Sequence, residues 1–218
     1  MARKAQRGAG AGDGGQPDIE RKVVEATMAL VGEEGWSATT LNRIADRSGV
    51  GLAEIRRHFR SRPAILEAFA RHVDEAVLAG GHFDADEPAR DRLFDVLMRR
   101  FDALAPHKEA IRRLAAEARR HPLTALSGGP SFLRSMTWML AAAGIGTGGL
   151  AGMVRARGLG VVYLRTLTVW LDDESEDLGR TMSTLDKALK RAEAMLGAMP
   201  GCRRTRRNDS TASEPQPA

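Results

Sequence analysis

Residues 39–62, TTLNRIADRSGVGLAEIRRHFRSR, carry the strongest structural signal in this 218-residue chain. Apolar residues recur at helical spacing on both sides of Gly49, which predicts two short helices joined by a turn. That layout is a helix-turn-helix, whose second helix enters the major groove of DNA. The stretch contains six arginines and only two acidic residues, a balance that favours a polyanionic partner. The sequence therefore predicts DNA binding.

Helical periodicity continues upstream of this stretch. A first helix is predicted from about Asp18, a candidate N-cap, to about Glu34. The second helix begins near Thr39 or Thr40, whose hydroxyl can accept from the first-turn amides, and ends at Gly49. Its residues expected in the core are Leu41, Ile44 and Ala45.

Two further helices complete the amino-terminal part. The third runs from about Leu52 to His58, and Ser61 caps a fourth over residues 62–79, with Pro63 in its first turn. The apolar residues expected to face inward are Ile55, Phe59, Ile65, Leu66, Phe69 and Val73.

Residues 89–197 repeat the apolar spacing of helices and predict a helical bundle. No stretch of the chain alternates with the period of two that is typical of strands, so the expected fold class is all-α. The last helix has a coiled-coil-like seam, which predicts that it packs against a partner helix. The seam consists of Leu178, Met182, Leu185, Leu189, Ala192 and Leu196.

Composition divides the chain into four parts. Residues 1–17 are basic and rich in Gly and Ala, and residues 200–218 are polar; both are expected to be disordered. Residues 18–79 are expected to form the DNA-binding domain, and residues 89–197 a second, helical domain. Part of the net charge of +5 lies in residues 43–62, on predicted structure, which favours nucleic acid as the partner.

Several classes of protein are disfavoured. The longest nearly apolar run, residues 158–171, is shorter than the roughly 20 residues needed to span a bilayer. The amino terminus has no apolar region typical of a signal peptide, and Cys202 is the only cysteine, so a reducing, cytoplasmic location is expected.

Neither a metal site nor an enzyme is indicated. The five histidines have no carboxylate or cysteine at a spacing typical of metal ligands, and Ser131 and Ser135 have no base partner in the sequence. No metal, cofactor or catalytic residue is therefore expected.

The candidate DNA contacts lie in and around the third helix. Arg56 and Arg57 can bond guanine or a phosphate, while Glu54 can accept from cytosine N4. Residues at helix ends and turns are candidates for contacts with the DNA backbone. The full set is Thr40, Gly51, Leu52, Ala53, Glu54, Arg56, Arg57, His58 and Arg62. A basic, solvated helical hairpin is the alternative interpretation of the same residues.

Residues 18–79 resemble the DNA-binding domain of the TetR/AcrR family of bacterial transcriptional regulators. The matching elements are Gly35, the pair Thr39 and Thr40, the run IADRSGV, Ile55, and then HFRSR and IL. The resemblance implies a TetR-like plan: a three-helix reader, a connecting fourth helix, and a helical domain, here residues 89–197, that dimerises and binds a small effector. Family members usually carry Gly-Thr-Leu-Tyr where this chain has residues 53–56, AEIR.

A second resemblance concerns the carboxy-terminal half. Residues 90–104, 162–175 and 181–193 are similar to the TetR-like, lipid-binding accessory protein of ubiquinone biosynthesis. This similarity implies an apolar or lipid-like effector. The candidate pocket residues are Leu97, Phe101, Met136, Trp138, Met139, Tyr163, Leu167 and Trp170. Each of them fits ordinary core packing at least as well.

The sequence thus predicts a homodimeric, ligand-responsive transcriptional regulator, with repression as the expected sign, that binds a near-palindromic operator in double-stranded DNA. The alternative function is a lipid or isoprenoid carrier that assists quinone biosynthesis without binding DNA.

Overall fold

The computed structural model describes residues 16–81, 86–121 and 128–197. Within these ranges every regular element is a helix, which confirms the all-α expectation. The elements are α1 (Gln16–Glu34), α2 (Leu41–Ser48), α3 (Leu52–His58), α4 (Arg62–Leu78), α5 (Ala89–Leu104), a 3-10 turn (Ala105–His107), α6 (Lys108–Arg120), α7 (Gly129–Ala142), α8 (Gly149–Leu171) and α9 (Gly179–Gly197). Residues 1–15 of the expected arm and the expected tail at 200–218 lie outside the described residues.

The chain divides into two compact units, with boundaries after Gly81, within α5 and within α7. The first unit contains α1–α4, the end of α5, α6 and most of α7, and within it α1 packs against α2, α4 and α6. The second unit contains the start of α5, the end of α7, and α8 packed against α9. Residues 18–79, expected to form a domain of their own, thus share their unit with α6.

Local capping sets the bounds of the helix-turn-helix. The Thr40 hydroxyl caps α2 by accepting from the Arg43 amide at 3.4 Å. Gly49 ends α2 in the left-handed region at φ 68°, which glycine adopts without strain. Ser61 caps α4 by accepting from the Ala64 amide at 3.4 Å. These caps, predicted from the sequence, lie in the predicted positions.

The core of the amino-terminal helices joins α1, α2, α3 and α4. Ile44 and Ile65 are fully buried, and Ile55 and Phe59 fix α3 to the other helices. The cluster consists of Val23, Val24, Leu30, Ile44, Val50, Ile55, Phe59, Ile65 and Ala68. Burial of this many apolar side chains holds the short helix α3 in place, since seven residues are too few to be stable alone.

Three local predictions were wrong. Asp18 does not cap α1, because the helix begins at Gln16 and the carboxylate instead accepts from Arg21 and Lys22 in the next turn. Leu41 stays 39% exposed, because the core cluster contacts α2 one turn further along. Leu178 precedes α9 and adopts φ 51°, so the seam of α9 starts later than predicted.

The start of α9 is held by a buried carboxylate. Asp173 is 1% exposed and accepts from the Thr181 amide at 2.9 Å and from the Thr181 hydroxyl at 2.7 Å. Its other oxygen accepts from the Ser175 hydroxyl at 2.6 Å. Hydrogen bonds from Ser175 and then from Thr181 hold the pKa of Asp173 well below the usual carboxyl range. The ionised form therefore stabilises the junction between α8 and α9.

We expect Asp173→Asn to lower the thermal unfolding midpoint at neutral pH. Because the folded-state pKa is depressed, the charged Asp173 stabilises the fold above the ordinary carboxyl pKa of about 4, and this contribution is lost as the pH falls below it. The variant should therefore also lose part of the acid dependence of the midpoint. Thermal unfolding followed by circular dichroism from about pH 7 to pH 3 measures both effects.

The matched control is Asp172→Asn, since Asp172 is the exposed neighbour of Asp173. An unchanged midpoint and acid profile in Asp173→Asn, or equal changes in the two variants, would contradict the stabilising role of the buried carboxylate.

Candidate DNA-binding surface

Helix α3 presents one buried and one exposed face. Ile55 is 2% exposed and Phe59 5%, while Leu52, Ala53 and Arg56 are exposed to solvent. The buried pair fixes the rotation of α3 about its own axis, so the exposed residues have a defined orientation. An exposed helix of this kind, held rigidly by its neighbours in a helix-turn-helix, can enter the major groove.

The charged residues of α3 differ in their partners. Arg57 donates to Glu54 at 2.8 Å, and His58 Nε2 lies 3.5 Å from the other oxygen of the same carboxylate. Arg56 is exposed and has no ion-pair partner among the residues that the structure describes. Glu54 thus offsets the charge of Arg57, and Arg56 is the cation of α3 that is available to an incoming anion.

The two arginines of α2 form ion pairs with acidic residues of α1. Arg43 pairs with Glu34, and Arg47 forms a bidentate pair with Glu33 at 2.9 and 2.5 Å. The hydrogen bond from Arg47 lowers the pKa of Glu33 and raises that of Arg47. These two cations, part of the basic balance noted in the sequence, hold α2 against the end of α1.

Arg62 also has an internal role. Its guanidinium stacks over the Trp36 ring at 4.1 Å and donates to the carbonyl oxygens of Thr39 at 2.6 Å and Trp36 at 3.1 Å. Burial lowers the pKa of Arg62, partly opposed by the charge of Glu117. The side chain ties the start of α4 to the turn between α1 and α2. This position does not fit the expectation that Arg62 contacts the DNA backbone.

The remaining candidates lie near the helix termini. Thr40 and Gly51 are exposed at the N-caps of α2 and α3, and His58 is half-buried at the end of α3. Arg60, which is not among the contacts predicted from the sequence, is exposed between α3 and α4 and has no ion-pair partner among the described residues. Its position one residue after the buried Phe59 is the sequence signal that would have identified it.

The candidate pocket residues divide between the two units. In the first unit Phe101 and Met136 are buried, but Trp138 is 53% exposed and so does not fit an internal pocket wall. In the second unit Leu97, Met139, Tyr163 and Trp170 are buried, and Leu167 is half-buried.

Metal-binding clusters and membrane-spanning helices are both absent from the described ranges. No group of histidine, cysteine or acidic side chains there is arranged to hold a metal ion. None of the helices described combines the length and the apolar character needed to cross a membrane.

Comparison with known proteins supports this interpretation of the surface. A family model described as bacterial regulatory proteins of the tetR family matches residues 23–69. The HTH-type transcriptional regulator BetI of Yersinia pestis (strain Pestoides F) is 40% identical over 68 residues, which cover 29% of this chain and 34% of that protein. BetI of Klebsiella pneumoniae (strain 342) is 32% identical over 93 residues, 41% of this chain and 48% of that protein. The chain therefore spans between a third and a half of these relatives.

Solved structures are similar over a longer range. The structural match to a TetR transcriptional regulator from Nitrosomonas europaea ATCC 19718 covers 81% of this chain and 98% of that chain. Its TM-score is 0.64, and the sequences are 25% identical. A TetR transcriptional regulator from Rhodococcus sp. RHA1 has a TM-score of 0.60 at 17% identity over 81% of this chain and 96% of its own, a likeness of fold alone.

Proposed function

Because residues 23–69 match the model of the tetR family of bacterial regulatory proteins, we propose that the chain is a homodimeric transcriptional regulator that binds operator DNA. The observation that carries this proposal is the geometry of α3. Ile55 and Phe59 anchor the helix, while its opposite face is directed to solvent together with Arg56, which has no ion-pair partner in the described part of the chain. We propose repression as the sign of regulation and the cytoplasm as the location, because the target is the operator.

In the proposed complex α3 lies in the major groove. Arg56 contacts a base edge or an adjacent phosphate. Leu52 and Ala53 offer apolar contact to a thymine methyl group, and Glu54 restricts which bases α3 can bind. The exposed N-caps Thr40 and Gly51 direct first-turn amides toward the DNA backbone. Arg62, which holds the turn before α2, sets the position of the Thr40 cap.

Dimerisation is supported by an exposed apolar face on α8. Leu150, Val161 and Leu164 are 72%, 70% and 49% exposed, and Val154 and Met153 share the same side of the helix. Burying an apolar side chain of this size stabilises a protein by about 1.5–3 kcal/mol, and an exposed one lacks this contribution. A second copy of the chain offers the same face, and a two-fold dimer buries both. Such a dimer binds two half-sites about one turn of DNA, roughly 34 Å, apart.

We expect the double variant Val161→Asp/Leu164→Asp to be monomeric and to bind the operator at least tenfold more weakly. The two carboxylates would have to lose water inside the proposed interface and would repel their copies on the other protomer, and a monomer loses one half-site. Sedimentation velocity measures the mass, and fluorescence anisotropy measures the DNA affinity.

The control is Ala76→Asp, which adds an acid at an exposed position of α4. A double variant that keeps the dimer mass of the wild type would show that this face of α8 is not the dimer interface.

The proposed effector is a small apolar or lipid-like molecule that binds among the carboxy-terminal helices. Within the second unit, Tyr163 and Trp170 are large buried side chains that carry a polar group beside apolar surface. Small-molecule cavities combine such groups. Mass spectrometry of lipid extracted from the purified protein tests this part of the proposal, and protein that is consistently empty counts against it.

One experiment tests the proposal as a whole. The purified protein is mixed with DNA fragments from the region upstream of its own gene, over a series of salt concentrations. We expect tight, sequence-selective binding to one fragment, with an affinity that falls steeply as salt rises. If no fragment is selected at any salt concentration, the regulator proposal fails and the lipid-carrier alternative is favoured.

A further inference from the structure

Helix α6 brings a basic segment to the side of the helix-turn-helix. It packs along α1 in the same compact unit, and a Cβ atom on Gly32 would lie 3.6 Å from the Ala110 amide nitrogen. At its last turn the Ser37 hydroxyl donates to Glu117 Oε1 at 2.6 Å. Ser37 lies three residues before Thr40, so the end of α6 is next to the turn that leads into the exposed N-cap of α2.

The last turn of α6 differs from the earlier turns in its charge balance. Arg112 and Arg113 pair with Glu109 on the same helix, which offsets their charge. Arg119 and Arg120 are exposed and have no carboxylate partner within the described ranges. The acid of this turn, Glu117, is already bonded to Ser37.

Helix geometry separates the two arginines. With 3.6 residues per turn, Arg120 lies about 60° from Glu117 around the helix axis, whereas Arg119 lies about 160° away. Arg120 is therefore on the side of α6 that faces the turn before α2, and Arg119 is on the far side. A long, exposed cationic side chain beside a DNA-reading domain fits a phosphate, since the DNA backbone carries one charge about every 1.7 Å of helix axis.

We propose that Arg120 of α6 binds a backbone phosphate flanking the operator half-site, so that the DNA-contacting surface extends beyond residues 23–69 onto α6. This inference rests on the proposed function. The contact adds affinity without sequence selectivity, because phosphates are common to all sequences. In the complex, α6 and the helix-turn-helix would contact the same DNA. This adds to the direct hydrogen bond between Ser37 and Glu117.

The test uses the full chain and the operator fragment selected by the wild-type protein. Affinity is measured over a salt series for wild type, Arg120→Gln, Arg120→Lys and the matched control Arg119→Gln. Loss of one phosphate contact makes the plot of log affinity against log salt shallower by about 0.9 for each bound protomer. We expect this change in Arg120→Gln, restoration in Arg120→Lys, and the wild-type slope in Arg119→Gln.

Two results would overturn the inference while leaving the proposed function intact. One is a wild-type slope in Arg120→Gln. The other is an equal change in Arg119→Gln, which would indicate a general effect of net charge. If the wild-type protein selects no DNA fragment, both the inference and the proposed function fail. Circular dichroism of each variant establishes that it is folded.

Discussion

Arg56→Ala is expected to weaken operator binding by about ten- to 100-fold for each half-site, the range for losing one good arginine contact with a base. Arg56 lies on the exposed face of α3, whose rotation is fixed by Ile55 and Phe59. No carboxylate among the described residues neutralises its charge. Binding measured by fluorescence anisotropy, on the operator and on a panel with single base pairs changed, gives the size of the loss.

The panel also identifies the kind of contact. If Arg56 reads a base, the alanine variant loses discrimination at one position of each half-site. If it binds a phosphate, affinity falls uniformly and the salt dependence becomes shallower.

Arg57→Ala is the matched comparison. The sequence alone predicts a loss for both arginines, because they are adjacent and identical in type. In the structure Arg57 is held by Glu54 at 2.8 Å, so its contact with DNA requires that bond to break. We therefore expect a loss for Arg57→Ala that is smaller than the loss for Arg56→Ala. Unchanged affinity in both variants, with the dimer intact, would mean that α3 is not the reading helix.

The local features of the reading domain could be predicted from the sequence because their causes are local. Thr40 and Ser61 cap helices through amides three residues away, and Gly49 ends α2 through its own backbone freedom. The inward face of α3 follows from the spacing of Ile55 and Phe59. Each of these requires only a few consecutive residues.

The roles of the charged side chains could not be predicted, because their partners are distant in sequence. The sequence predicts a DNA contact for Arg62. In the structure its guanidinium stacks over the ring of Trp36, 26 positions earlier, and donates a hydrogen bond to the Trp36 carbonyl oxygen. Arg47 pairs with Glu33, 14 positions away. A count of arginines in residues 39–62 therefore overestimates the positive charge that faces a partner.

A buried cluster in the first unit could not be predicted from the sequence for the same reason, because its members are distant in the chain. Asp74 on α4 accepts from Arg100 on α5 and, at 2.6 Å, from the Ser135 hydroxyl on α7. All three side chains are buried, with residue exposures of 9%, 5% and 3%. Ser135 has no partner at the level of the sequence, since Asp74 lies 61 positions earlier. Three helices that are remote in the chain thus meet at one carboxylate.

Asp74→Ala is expected to lower the free energy of unfolding by about 3–5 kcal/mol, the range for removing one partner of a buried ion pair. The loss arises mainly because the buried guanidinium of Arg100 loses its ion pair with the Asp74 carboxylate. Chemical denaturation followed by circular dichroism measures the change. Wild type and variant are compared at equal protomer concentration, since dimerisation contributes to the apparent stability.

The double variant Asp74→Leu/Arg100→Met separates this cause from simple loss of packing. It removes both charges and fills the space with apolar side chains, so it should be more stable than Asp74→Ala although it carries more substitutions. Ser135→Ala removes only one hydrogen bond and should cost about 1 kcal/mol. A double variant less stable than Asp74→Ala would show that the cluster stabilises the fold through its specific geometry, and that the lost ion pair of Arg100 is not the main cost.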